Sequence, residues 1–215
     1  MNKISFDQFI IQGGLKEGQK FNSCHDNRGQ FCSSGAGVMG GIENEKARQA
    51  VIKGILAVQE HGIANGTEAI EGYDKNGNKI DGMPTGTTNS VVHKDILTDD
   101  TYVFVHNHPS SSSFSDGDIE VFANSKAQHM LVVGHDGTLY KLSKPDNWKP
   151  SPVRAYISYT ASYLDYKSDL TPKYQNLFNE GGNSNVLWKE HSHEILNKLS
   201  KDSGFDYVRV LPRGQ

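Results

Sequence analysis

The sequence predicts an α/β protein, on three observations. A long stretch of helical periodicity precedes a set of short β-rich runs, two hairpin signals of Asn-Gly and Asp-Gly type lie between those runs, and helical patterning returns toward the C-terminus. A chain of 215 residues is long enough for one well-buried domain with appendages.

The elements follow in order. Residues 1–42 carry eight glycines, at positions 13, 14, 18, 29, 35, 37, 40 and 41, and a single short apolar run, Phe9-Ile10-Ile11. Ordering so glycine-rich a backbone is entropically costly, so this segment reads as a flexible N-terminal arm. Cys24, His25 and Cys32 fall within it, but Cys-x7-Cys is not a standard metal spacing and two cysteines build no disulfide framework.

Residues 43–61 read as a helix through Ala47, Ala50, Val51, Ile55, Leu56 and Val58, with Gly62 as its stop. A strand is expected to open over residues 66–70, and Asp74-Lys75-Asn76-Gly77-Asn78 is a turn signal. Val91-Val92 and Thr101-Tyr102-Val103-Phe104-Val105 supply further strands. A helix is expected over residues 115–128. Residues 130–134 and 139–140 flank Asp136-Gly137 as a second hairpin. Pro145, Pro150 and Pro152 mark a linker-like stretch. Beyond it, helices are expected over residues 156–167 and 171–179, separated by Pro172 at an N1-like position. A loop at 181–185, an amphipathic helix over 186–199 and a short strand at 207–211 close the chain. The organisation is thus an arm (1–42), a central domain (43–144) and a C-terminal, mostly helical extension (145–215).

Composition narrows the function classes. Hydrophobic residues make up 35% and mean hydropathy is -0.59. No run approaches the roughly 18 apolar residues of a membrane span, so no membrane partner is expected. The first residues hold no secretory apolar region, which makes the cytoplasm the default location. Net charge is -3, but residues 43–140 carry 7 Lys+Arg against 14 Asp+Glu. An acidic central domain argues against nucleic acid as its main partner.

The chemistry-bearing pattern is His106-Asn107-His108-Pro109, then Ser115 and Asp118. Residues two apart share one face of a strand, so both imidazoles can reach a single ion. Pro109 ends the strand, and the polar stretch Ser110-Ser111-Ser112-Ser113 leads to a helix whose first turn returns the Asp118 carboxylate. Two imidazoles, one carboxylate and one open position suit a catalytic zinc. Taken alone, Ser115-x-x-Asp118 also reads as a plain helix cap. A second His-x-His, His191-Ser192-His193, falls in a helical stretch, where residues two apart point to nearly opposite sides; it reads as a solvated face. Asn107 points away from the metal face and reads as a loop-stabilising residue, and His93, His129 and His135 read as surface histidines.

This spacing resembles the JAMM signature of the JAB1/MPN zinc metallopeptidases. Phe114-Ser115-Asp116-Gly117-Asp118-Ile119 is similar to the motif's tail in JAB-like domains of bacteriophage and bacterial toxin proteins. The resemblance covers residues 43–144. It departs in one respect: six residues separate His108 from Ser115, where many members have seven. The resemblance implies a mixed, mostly antiparallel, cytidine-deaminase-like sheet flanked by helices. It implies Zn2+ held by His106, His108 and Asp118, and Ser115 as donor to an oxyanion. It also implies a general-base glutamate on a strand upstream of the histidines, for which Glu68 and Glu71 are candidates and Glu68 has the better position. The expected reaction is hydrolysis of a peptide or isopeptide bond. The substrate would be a protein or peptide, such as a ubiquitin-like tail or a phage protein, in a bacterial or phage-infected cytoplasm. Two alternatives stay open: a non-catalytic phage-type assembly protein that keeps the fold and the metal, and a toxin or effector module. The oligomeric state is not set by the sequence.

Overall fold

Strand periodicity divides the apolar residues between two faces of one sheet, and helices cover both. The computed structural model describes residues 37–211 apart from 81, 83, 92–95, 150, 152 and 154. Phe9, Ile10, Ile11, Cys24, His25, Cys32, Val92, His93, Pro150 and Pro152 lie outside the described residues. The elements run α1 (Glu45–Asn65), β1 (Ile70–Tyr73), β2 (Val103–His108), α2 (Asp116–Asn124), β3 (His129–Gly134) and β4 (Leu139–Ser143). A π-helical segment (Ala155–Thr160), α3 (Ala161–Asn179), α4 (Ser184–Ser203) and β5 (Asp206–Val210) follow. The strands form a five-stranded mixed sheet in the order β1-β2-β3-β4-β5. Among the described residues only β2 and β3 pair in parallel, with His106 opposite Val132; β1–β2, β3–β4 and β4–β5 are antiparallel. Parallel neighbours need a crossover, and α2 provides it. The expected α/β class with a mixed, mostly antiparallel sheet is what the chain forms.

One sheet face presents Val103, Val105, Leu131, Val133 and Leu139, which pack with Ala47, Val51, Ile55 and Val58 of α1. The other presents Ile70, Phe104, Met130, Val132, Tyr140 and Leu142. It packs with Ile119 and Phe122 of α2, Tyr163 and Leu170 of α3, Ile195, Leu196 and Leu199 of α4, and Phe205. Residues of the C-terminal segment therefore share a core with the central strands, and β5 extends their sheet. No helix among the described residues is long and apolar enough to cross a membrane.

Several sequence expectations need correction. Helix α1 runs through Gly62 and ends at Gly66, whose φ of 69° and N–H bond to the Gly62 carbonyl make the left-handed stop. Gly62 instead permits close packing, because a β-carbon there would lie 2.1 Å from Asn107 Nδ2. The strand begins at Ile70 rather than Gly66, and Val91 is buried in the core outside any strand. Helix α2 is shorter than residues 115–128. It closes at Ser125, whose N–H returns to the carbonyls of Val121 and Phe122 and whose hydroxyl bonds the Phe122 carbonyl. Pro172 does not divide the segment into two helices but lies inside α3. Packing of Tyr163, Leu170 and Tyr174 into the shared core on both sides of it offsets a break that costs about 3 kcal/mol in an isolated helix. The second hairpin forms as expected, with Gly137 at φ 85°.

Candidate metal centre

The crossover geometry fixes where the two histidines meet the aspartate. Chain alternation puts Phe104, His106 and His108 on the α2 face of β2, and β2 leads directly into the loop that starts α2. Ser115 is the N-cap of α2, and its hydroxyl accepts the Asp118 N–H (3.1 Å) and donates to Asp118 Oδ2 (2.8 Å). The same Oδ2 accepts the Ser115 N–H (2.7 Å), which completes a capping box. The helix start thus orients the carboxylate toward the end of β2. His106 Nε2 lies 3.3 Å from Asp118 Oδ1, and His108 Nε2 lies 3.4 Å from Asp118 Oδ2. The two Nε2 atoms are 3.0 Å apart.

These separations test whether the residues fit an ion. Ligand bonds of about 2.0–2.1 Å in a tetrahedron require ligand atoms about 3.3–3.4 Å apart. The two Nε2 atoms are somewhat closer than that, and each faces a different oxygen of Asp118, Oδ1 for His106 and Oδ2 for His108, so the three side chains converge with one ligand atom each within 4.8 Å of the others. Tautomer fits as well. His108 Nδ1 is 3.2 Å from the Ser112 carbonyl, which can only accept, so Nδ1 carries a hydrogen and Nε2 is the nitrogen left to face the cluster. All three side chains are buried. His106, His108 and Asp118 form a group that could hold a metal ion.

The electrostatics of the cluster suit a cation. Burial would raise the Asp118 carboxyl, but the charges and hydrogen bonds of His106 and His108 outweigh it and hold Asp118 well below the usual range. Burial pulls His106 down despite Asp118. The same desolvation acts on His108, where bonding to Asp118 and the nearby Glu68 charge turn the net shift upward.

Of the two glutamates proposed from the sequence, one approaches the cluster. Glu68 Oε1 lies 3.9 Å from His108 Nε2. Burial pushes its carboxyl up to about 7, opposed by His108 and assisted by Asp118. Glu71 bonds the Tyr73 hydroxyl and, at 2.5 Å, Lys79 Nζ. Tyr73 packs with the α1 side of the sheet, so Glu71 belongs to the opposite face from Glu68. Asn107 also turns away from the histidines, as expected, but its role is more specific than loop stabilisation. Its Oδ1 accepts the Ala69 N–H (2.8 Å) and its Nδ2 donates to the Thr67 carbonyl (3.0 Å), clamping the residues on either side of Glu68.

The remaining histidines depart from the sequence reading. His129 is buried at the start of β3, against the Ser143 hydroxyl (2.9 Å) and the Tyr102 hydroxyl (3.1 Å). His135 is half-buried, 3.2 Å from Asn107 Nδ2. His191 and His193 do not form a solvated face, because α3 and β5 cover that region of α4. His191 is buried beside Tyr174, at 4.9 Å between ring centroids, and His193 Nδ1 meets the Tyr207 hydroxyl at 3.0 Å. The sequence reading passed over Ser192 and Tyr207, which reach the loop after His108. Their separation along the chain left no local signal. Comparison of the chain with protein-family models, with curated proteins and with solved structures finds no match.

Proposed function

We propose that this protein is a zinc-dependent peptidase or isopeptidase of the JAMM type, with His106, His108 and Asp118 as metal ligands and Glu68 as general base. The observation that carries this reading is the convergence of two buried imidazoles and a buried carboxylate, with a second carboxylate, that of Glu68, beside them. The mostly antiparallel sheet and the capped helix that presents Asp118 support a JAB1/MPN-like arrangement.

When bound, zinc supplies Lewis acidity and brings the pKa of water down toward about 7. Glu68 takes a proton from the attacking water as the new C–O bond forms. It then delivers that proton to the amine nitrogen as the C–N bond breaks. Asn107 keeps Glu68 in reach of the site. Ser115 gives its one hydroxyl hydrogen to Asp118 Oδ2 in this structure, and would serve the oxyanion by turning that hydrogen to it; such a donor is worth about 10²–10³ in rate.

The test is a mass-spectrometric search for new termini after incubating the zinc-loaded full chain with a peptide library and with lysine-linked isopeptide conjugates. Cleavage by wild type that is absent in Glu68→Gln and in chelator supports the proposal. Absence of cleavage by zinc-loaded wild type overturns it in favour of the non-catalytic assembly role. Cell killing that Glu68→Gln abolishes would identify the same chemistry as that of a toxin.

A further inference from the structure

One peptide unit connects the C-terminal helix to the candidate ligand set. The Ser112 carbonyl accepts the Nδ1 hydrogen of His108 at 3.2 Å. The N–H of the same amide, that of Ser113, donates to Ser192 Oγ at 3.0 Å. Ser192 is buried, and its hydroxyl hydrogen goes to the Lys189 carbonyl at 3.0 Å. Because an amide is planar and trans, fixing the direction of its N–H fixes that of its carbonyl. The ordered series therefore runs from Lys189 through Ser192 and the 112–113 amide to His108, with every donor and acceptor direction determined.

The loop containing this amide is constrained from both sides. Tyr140 donates to the Ser111 carbonyl (2.9 Å), and the Asp136 N–H donates to Ser111 Oγ (3.1 Å). Ser111 has φ +56°, a left-handed conformation that a serine adopts at some cost unless its surroundings impose it. Opposite, Ser113 Oγ pairs with the Tyr207 hydroxyl of β5 at 3.0 Å, and Tyr163 of α3 donates to the Phe114 carbonyl at 3.1 Å.

We propose that Ser192 is a positioning residue for His108. Its acceptor hydroxyl holds the 112–113 amide so that His108 keeps its Nδ1 hydrogen and offers Nε2 to the ion. This gives the segment after residue 144 a defined role in assembling the site. The inference rests on the metal-centre reading above. Partners that orient a ligating histidine in this way typically govern metal affinity by about 10–100-fold.

The experiment measures the zinc Kd of the full chain by chelator competition, and the Co2+ absorption spectrum, for wild type, Ser192→Ala, Ser192→Thr and Tyr166→Phe. Ser192→Ala is expected to weaken zinc by about 10–100-fold and to shift the Co2+ bands. Ser192→Thr, which keeps the hydroxyl, should restore both. Tyr166→Phe, which removes a hydroxyl bonded to Asp202 and does not touch the loop, should leave both unchanged. A folded Ser192→Ala with wild-type affinity and spectrum overturns the assignment. If Ser192→Ala does not fold, Ser192→Thr and the nitrogen-15 histidine spectrum of wild type decide: a His108 hydrogen on Nε2 rather than Nδ1 overturns it equally. Wild type that binds neither ion would instead overturn the metal-centre reading itself.

Discussion

Truncating Asn107 to alanine tests how the site is held from the rear of the sheet. Its amide satisfies the Ala69 N–H at 2.8 Å and the Thr67 carbonyl at 3.0 Å. Ala69 is fully buried, so its N–H finds no water when the amide is removed. An unsatisfied buried donor costs about 1–3 kcal/mol and a second, less buried hydrogen bond about 0.5–1.5 kcal/mol, so the loss should be about 2–4 kcal/mol. At about 2–4 °C per kcal/mol for a domain of this size, Tm should fall by about 4–16 °C. None of the three ligands is touched, so zinc content should persist while turnover falls as Glu68 loses its anchored backbone. The assay is urea unfolding in chelator, paired with metal content and turnover of the loaded protein. A stability loss below about 1 kcal/mol, or loss of zinc in a folded variant, would refute the clamp.

Further predictions follow from other contacts. Glu68→Gln should lower turnover by about 10²–10⁴ with zinc retained, whereas Glu71→Gln, on the other sheet face, should stay active; the reverse pattern in a peptidase assay would exchange their roles. Gly134→Ala would bring a β-carbon to 2.7 Å from Asp136 Oδ1 and 2.8 Å from Ser111 Cα. The crowding should cost about 1–3 kcal/mol and weaken zinc binding through the Ser111 loop; a variant as stable as wild type by denaturant midpoint would show that the loop yields freely. Burial, with Lys141 nearby, holds His129 down to about 3, against about 6.5 when unfolded. The folded value is the lower one, so this contribution is present above pH 6.5 and is lost as pH falls toward 3. It amounts to at most about 1.4 kcal/mol per pH unit. Stability measured from pH 6.5 to 4 should fall less steeply in His129→Gln than in wild type, and parallel curves would contradict a neutral buried imidazole.

How far the site could be read from the sequence depended on which contacts were local. His106 and His108 share a strand face by simple alternation, and Ser115 and Asp118 share a helix start, so both halves were legible from spacing. Alternation showed only that Glu68 and Glu71 cannot both serve, and the preference for Glu68 came from the position the resemblance implies. Contacts that cross the fold left no such trace. Ser192 meets Ser113 from 79 positions away, and nothing near His191-Ser192-His193 announces that α3 and β5 will bury it. Gly62 was misread because glycine serves both as a helix stop and as a close-packing residue, and only Asn107 across the interface distinguishes the two. Pro172 misled for a related reason, since tertiary packing along α3 outweighs a local preference.

Everything proposed for this chain depends on whether His106, His108 and Asp118 hold a metal ion. Elemental analysis of the purified full chain, beside the His106→Ala/His108→Ala double variant, decides it. About one zinc per wild-type chain, absent from a folded double variant, is the predicted result. No metal in either protein after zinc is supplied, or equal zinc in both, would contradict it.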